Sequence, residues 1–231
     1  MKLRCLLDIV LPRRCAICHS ILGPEEQCLC AACITRLPFR HFESPTDNDL
    51  VRRLWNTASV YSGETLLAYQ ADSDVHTLVQ HMKYRGRTDL CQLMGRMLAD
   101  KLMAQDFCRG IDMLIPIPLS RKRLRTRGYN QAEHIARGVS QATGIPVRTD
   151  FLLRIVDNPT QTSLRAADRM RNTARIFQAR NPNGLKGKHI LLLDDVITTG
   201  STTASALQTL TECVPRLTSS VACIALTSLN G

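Results

Sequence analysis

Apolar positions between residues 75 and 102 recur at helical spacing. Val75, Leu78, Val79 and Met82 stand at i, i+3, i+4 and i+7, and Gly86 stops the run. Leu90, Leu93, Met94, Met97, Leu98 and Leu102 form a longer stripe, with Thr88 as its expected N-cap. Asn130 and Glu133 have capping-box spacing and open a further helix, which Gly144 and Pro146 close. Shorter apolar runs at Val60 and Tyr61, at 113–117, at 189–196 and at 221–227 predict strands. Strands alternating with helices predict an α/β fold, a mostly parallel sheet flanked by helices.

The ends of the chain read differently. Five of the ten cysteines fall between Cys15 and Cys33, so residues 1–42 form a Cys-rich module too short to bury a core alone. The polar stretch that follows predicts a linker over 43–55, and the main domain is expected over 56–231. The apolar run near the N-terminus is broken by Asp8 and lacks a small-residue cleavage site, so it is not read as a signal peptide. No run approaches the ~18 apolar residues of a membrane span. The expected location is therefore the cytoplasm, where thiols stay reduced. Cys91, Cys108, Cys213 and Cys223 are expected to be buried small hydrophobes.

Two CxxC pairs, Cys15 with Cys18 and Cys30 with Cys33, can present four thiolates to one tetrahedral zinc ion. Four protein ligands leave no open position, so this Zn²⁺ is structural. Cys28, and His19 beside Cys18, are left out of the ligand set.

The strongest chemical signal lies near the C-terminus. A continuously apolar strand, 190–193, runs into Asp194 and Asp195. Two carboxylates at the end of a buried strand are costly unless something binds them, and ligands of open α/β sheets bind at that edge. Val196 and Ile197 lead to Thr198, Thr199, Gly200, Ser201 and Thr202, then to a helix bearing Ala206, Leu207 and Leu210. Gly200 permits a tight turn, and the turn and helix N-terminus together can hold a phosphate. The carboxylates can accept hydrogen bonds from ribose hydroxyls. Neither a GxxxxGK[ST] loop nor a GxGxxG fingerprint is present.

The nine residues DDVITTGST, 194–202, closely resemble the phosphoribosyl pyrophosphate (PRPP) motif of type I phosphoribosyltransferases. The resemblance implies that Asp194 and Asp195 serve the ribose, that 198–202 hold the 5-phosphate, and that Mg²⁺ arrives with the pyrophosphate. HMKYRG at 81–86, IPIPLSRKRLRTRGYNQAE at 115–133, PTQTSLRAADRMRN at 159–172 and the Cys-rich start resemble the blocks of ComF-type proteins. That family is associated with DNA uptake in bacterial competence. It implies a PRPP-binding protein that handles single-stranded DNA alongside other competence or DNA-processing proteins. The alternative is a phosphoribosyltransferase of nucleotide or nucleobase metabolism with an unidentified acceptor. Whether the chain turns over PRPP stays open.

Charge agrees with either reading. The net charge of +10 points to a polyanionic partner, or to a merely basic surface. Lys83, in the last turn of a helix, can reach a pyrophosphate or pair with the helix terminus, and it joins Asp194 and Asp195 as a candidate catalytic group. Arg121, Lys122, Arg123, Arg125 and Arg127 follow a strand end, on the ligand edge, and are candidates for contact with pyrophosphate or nucleic acid. Arg165, Arg169, Arg171 and Arg175, with Gln161 and Asn172, resemble a loop over the active site. Trp55, Tyr84 and Tyr129 are the aromatics offered for base stacking.

Overall fold

In the computed structural model, four parallel strands form the central sheet, in the order β1-β6-β5-β2. The structure describes residues 12–55, 57–156 and 176–228. Along the chain come α1 (Ala31–Arg36), α2 (Asp49–Trp55), β1 (Ser62–Tyr69), α3 (Asp74–Tyr84), α4 (Thr88–Ala104) and β2 (Met113–Pro116). They are followed by α5 (Arg121–Arg127), α6 (Gln131–Thr143), β3 (Leu152–Arg154), β4 (Phe177–Ala179), β5 (His189–Ile197), α7 (Ser201–Cys213) and β6 (Thr218–Thr227). β3 and β4 pair antiparallel as a separate two-stranded ribbon. Residues 157–175, including Gln161, Asn172 and the four arginines of the third block, lie outside the described residues.

The sheet is buried on both faces, which is why β5 reads as an unbroken apolar run. Leu191 and Leu193 join one core with Ile224 of β6, Leu78 and Met82 of α3, Met94 and Leu98 of α4, and Ile135 of α6. Ile190 and Leu192 join the other, with Val221, Leu54 of α2, Leu207 and Leu210 of α7, and Phe151 and Phe177 of the ribbon segment. The sheet edges are covered. Phe39 bridges Leu67 antiparallel beside β1, and Val147 bridges Leu114 parallel beside β2.

Several sequence expectations change here. Residues 43–55, expected to be a linker, contain α2, whose Leu50, Val51 and Leu54 are fully buried. Asn48, in the polar stretch, is itself buried. Its carboxamide oxygen accepts from the Leu50 and Val51 N–H groups, and its amide nitrogen donates to the Gly63 carbonyl. Gly63 lets this helix come close, since a Cβ there would lie 3.0 Å from Val51 Cγ2. The strand expected at Val60 and Tyr61 begins instead at Ser62. The signal was hidden by Glu64, a buried carboxylate inside the strand, tolerable only because Lys101 of α4 lies 2.9 Å away. Thr88 is the first helical residue rather than the cap, and the N-cap is Arg87. Cys91 and Cys223 are fully buried as expected, whereas Cys213, at the last turn of α7, is exposed and Cys108 is half-buried.

The basic run 121–127 is a helix, α5. Ser120 caps it through its hydroxyl, and Gly128, at φ +80°, ends it. It buries none of its residues completely. α4 and α6 cross closely: a Cβ on Gly95 would lie 2.2 Å from the Ile135 carbonyl oxygen, and one on Gly138 would lie 2.2 Å from that of Gln92.

The described part of the Cys-rich segment shares its interior with the main domain. Cys15, Leu22, Cys28, Leu29 and Leu37 belong to the same core as Leu90 and Leu98. Arg36 pairs with Asp74 of α3 at 3.5 Å, and Arg96 of α4 donates to the Gln27 side chain at 2.7 Å.

Candidate phosphate and metal sites

Asp194 and Asp195 end the apolar part of β5, at the carboxyl edge of the sheet, where α/β ligands bind. They line a cavity of about 130 Å³ together with Lys83, Arg123, Arg127, Asn130, Gln131, Arg154 and Thr202. Four cations and two carboxylates thus converge on one small space. Lys83 Nζ lies 3.4 Å from Asp195 Oδ2. Asp194 accepts from the Asp195 N–H at 2.8 Å, and Asp195 from the Val196 N–H at 2.7 Å. Desolvation, then the neighbouring Asp195 carboxylate, push the Asp194 carboxyl well above the usual carboxylate range. A cation brought by a ligand would relieve that cost.

The turn beyond follows from its glycine. Gly200 has φ +79° and precedes α7 as its N-cap residue. Thr198, Thr199 and Ser201 are exposed on this turn, and the Thr199 and Ser201 hydroxyls lie 3.1 Å apart. The Ser201 N–H donates to the Thr199 hydroxyl at 3.4 Å, and the hydroxyls and N–H groups at the start of α7 are of the kind that can receive an anion.

Helix α5 divides the basic run by its period. Arg123 and Arg127, at i and i+4, line the cavity and are half-buried, whereas Arg121, Lys122 and Arg125 are exposed and are not part of its lining. The Arg127 guanidinium lies 5.1 Å from the Tyr84 ring centre and donates to the Gln131 carboxamide oxygen at 3.0 Å. Of the aromatics proposed for stacking, Trp55 and Tyr84 are exposed. Tyr129 is instead structural, its hydroxyl donating to the Met82 carbonyl at 2.6 Å.

Sequence reasoning passed over Gln131, Asn130 and Arg154. Gln131 is 1% exposed and its amide nitrogen has no partner among the described residues, so the cavity wall offers a donor. Asn130 caps α6 and donates to the Ile117 carbonyl at 3.0 Å, tying α6 to the end of β2. The asparagine cap was visible as capping-box spacing, but nothing local marked its contact with β2.

A larger cleft of about 480 Å³, between residues 39–41 and α4, is mainly apolar. Its cations are spent: Arg40 on Asp49, and Lys101 on Glu64 and the Arg40 and Thr65 carbonyls. It is not built for a phosphate.

The four thiols of Cys15, Cys18, Cys30 and Cys33 cluster with every sulfur within 4.8 Å of the others. Cys18 Sγ and Cys30 Sγ are 3.7 Å apart. A Zn–S bond of about 2.3 Å makes a tetrahedral edge of about 3.8 Å, so the set fits zinc. Cys28 stands apart, its thiol donating to Asp89 Oδ2 at 3.3 Å. Burial, then the Asp89 charge, push that thiol up to about 11, so it remains a protonated donor rather than a ligand. His19 also stays outside the cluster, its ring centre 6.3 Å from that of His81 on α3.

Residues 96–229 match the model of the phosphoribosyl transferase domain, and residues 6–45 that of the double zinc ribbon domain. The DNA utilization protein YhgH of Salmonella typhi is 29% identical over 136 residues, 58% of this chain and 59% of its own length. The protein of the same name from Escherichia coli O157:H7 is 27% identical over 204 residues, 85% of this chain and 83% of its own. Competence protein F of Haemophilus influenzae is 33% identical over 131 residues, 54% of this chain and 56% of its own. The match thus spans under two thirds of the Salmonella and Haemophilus proteins.

Proposed function

Since the chain belongs to the phosphoribosyl transferase domain family, we propose that it binds PRPP with Mg²⁺ and acts in DNA uptake or utilisation. The observation that carries this reading is the joining of Lys83, Arg123, Arg127, Asp194 and Asp195 around one cavity beside the Gly200 turn. The cavity is smaller than the ~300–1,000 Å³ of a whole-ligand pocket, so it suits one polyanionic segment.

In this reading the exposed turn 198–202 takes the 5-phosphate through its N–H groups and hydroxyls. Asp194 and Asp195 accept from the ribose hydroxyls, and Lys83, Arg123 and Arg127 face the pyrophosphate. Mg²⁺, when bound, would offset the charge of the pyrophosphate and of Asp194 and Asp195. Should transfer occur, these residues would act by positioning and by stabilising the charge that develops on the leaving pyrophosphate. No proton transfer to a side chain is required to expel it.

The relatives' names bring DNA into the reading. The exposed cations Arg121 and Arg125 offer phosphate contacts without base readout, as single-strand handling needs, and Tyr84, against Arg127 of the same helix, offers an exposed ring. The four thiolates hold one structural Zn²⁺, which suits a cytoplasmic location. Among the described residues, no helix is long and apolar enough to cross a membrane.

Calorimetry with PRPP and Mg²⁺ tests the proposal. Binding is expected for the native chain and lost when Asp194→Asn and Asp195→Asn are combined, with circular dichroism unchanged. Equal affinity in the double variant overturns the site assignment.

A further inference from the structure

Arg53 is a cation of α2 placed behind the Gly200 turn. Its guanidinium donates to the Thr198 carbonyl, to Thr227 Oγ1 at 2.9 Å and to the Thr227 carbonyl at 2.6 Å. Its methylene stem covers the turn, since a Cβ on Gly200 would lie 3.3 Å from Arg53 Cγ. Thr227, at the end of β6, also donates its hydroxyl to the Thr198 carbonyl at 3.3 Å. Among the described residues no carboxylate lies within ion-pair distance of Arg53, and its Nε is buried without a partner. This is a partly desolvated charge held by carbonyls and one hydroxyl, with no paired carboxylate among the described residues to offset it.

The peptide plane shows what the contact does. The carbonyl and N–H of a trans peptide point in opposite directions. Drawing the Thr198 carbonyl onto Arg53 therefore turns the Thr199 N–H away from it. The fork also ties the turn to β6, so the orientation does not depend on the turn alone. We infer that Arg53 is the positioning residue of the 198–202 turn, pre-orienting its N–H groups for the 5-phosphate and adding a fixed positive charge behind them. This rests on the phosphoribosyl reading above.

Calorimetry on the zinc-loaded full chain, in Mg²⁺, tests it with three probes: PRPP, ribose 5-phosphate and inorganic pyrophosphate. Arg53→Met is expected to weaken ribose 5-phosphate and PRPP by about ten- to a hundredfold, the loss of charged hydrogen bonds, while pyrophosphate affinity stays within about twofold. Arg53→Lys keeps the charge without the fork and should fall between the two. Unchanged ribose 5-phosphate affinity in Arg53→Met overturns the assignment, as does an equal loss for pyrophosphate, the mark of general destabilisation. Should Arg53→Met not fold, Thr227→Val removes one acceptor, and a selective loss of ribose 5-phosphate affinity is again required. A native chain that binds none of the three probes sinks the phosphoribosyl reading and this inference with it. One that binds them, with Arg53→Met indistinguishable from it, sinks only the inference.

Discussion

Lys83 Nζ, in the last turn of α3, lies 3.4 Å from Asp195 Oδ2, at the end of β5. The lysine is held from behind by the Tyr129 hydroxyl on the carbonyl of Met82, and its helix is flanked by His19 and Arg36 of the Cys-rich segment. The pair thus links three parts of the chain at the candidate site, and its neighbours supply the tests below.

The Asp194 carboxyl is held above its ordinary range, by desolvation first and by Asp195 second. A raised native pKa means the folded state binds more protons than the unfolded state across the interval. Its contribution is therefore fully present below the unfolded value near 4 and is lost as pH rises through the raised one. Asp194→Asn should raise the melting temperature of the ligand-free chain at pH 7 and flatten its fall between mildly acidic and neutral pH. A melting series over that interval checks this; an Asn variant less stable at pH 7 contradicts it.

Zinc should support Lys83 from a distance. The metal-bound segment shares its core with α3 and α4, and Cys28 anchors it to Asp89. One Zn²⁺ per chain is expected by elemental analysis. Cys15→Ser should lose the metal and weaken PRPP by about tenfold or more, whereas Cys108→Ser should change neither. Full PRPP affinity in a zinc-free chain would show that the two sites are uncoupled.

The crossing of α4 and α6 has no room for a methyl. Gly138→Ala gains about 1 kcal/mol of helix propensity, but its Cβ would sit 2.2 Å from the Gln92 carbonyl oxygen, which must move. Overpacking of about 3 kcal/mol outweighs that gain. A net loss of about 2 kcal/mol should lower the melting point by about 4–8 °C, measurable by calorimetric scan.

The two faces of α5 should separate under mutation. Arg123→Ala with Arg127→Ala, on the cavity side, should mainly weaken PRPP. Arg121→Ala with Arg125→Ala, on the exposed side, should mainly weaken single-stranded DNA and flatten its salt dependence, by about 0.7 in log affinity against log salt per lost contact. Fluorescence anisotropy over a salt series reads this. No binding of the native chain at ~50 mM salt removes DNA as a direct partner.

What was legible in the chain beforehand was local. The apolar run of β5, the two carboxylates, the glycine turn and the CxxC pairs are each contiguous, and their chemistry follows from residue type and spacing. The α3, α4 and α6 stripes were legible for the same reason, because helix periodicity is a short-range signal. The rest depended on partners far along the chain. Glu64 disguised β1 because Lys101, which makes its burial tolerable, lies on another helix. Residues 49–55 passed for linker because their apolar positions matter only against Gly63 and the second core. The arginines of α5 could not be sorted until the helix gave them a period and β5 gave them a side. Arg53 had no local mark at all, since its acceptors, Thr198 and Thr227, approach it only when α2 packs on β1 and the end of β6 lies beside the turn. Long-range contacts of this kind are specified by packing and by the pairing of buried polar groups, and neither leaves a trace at fixed spacing in one sequence.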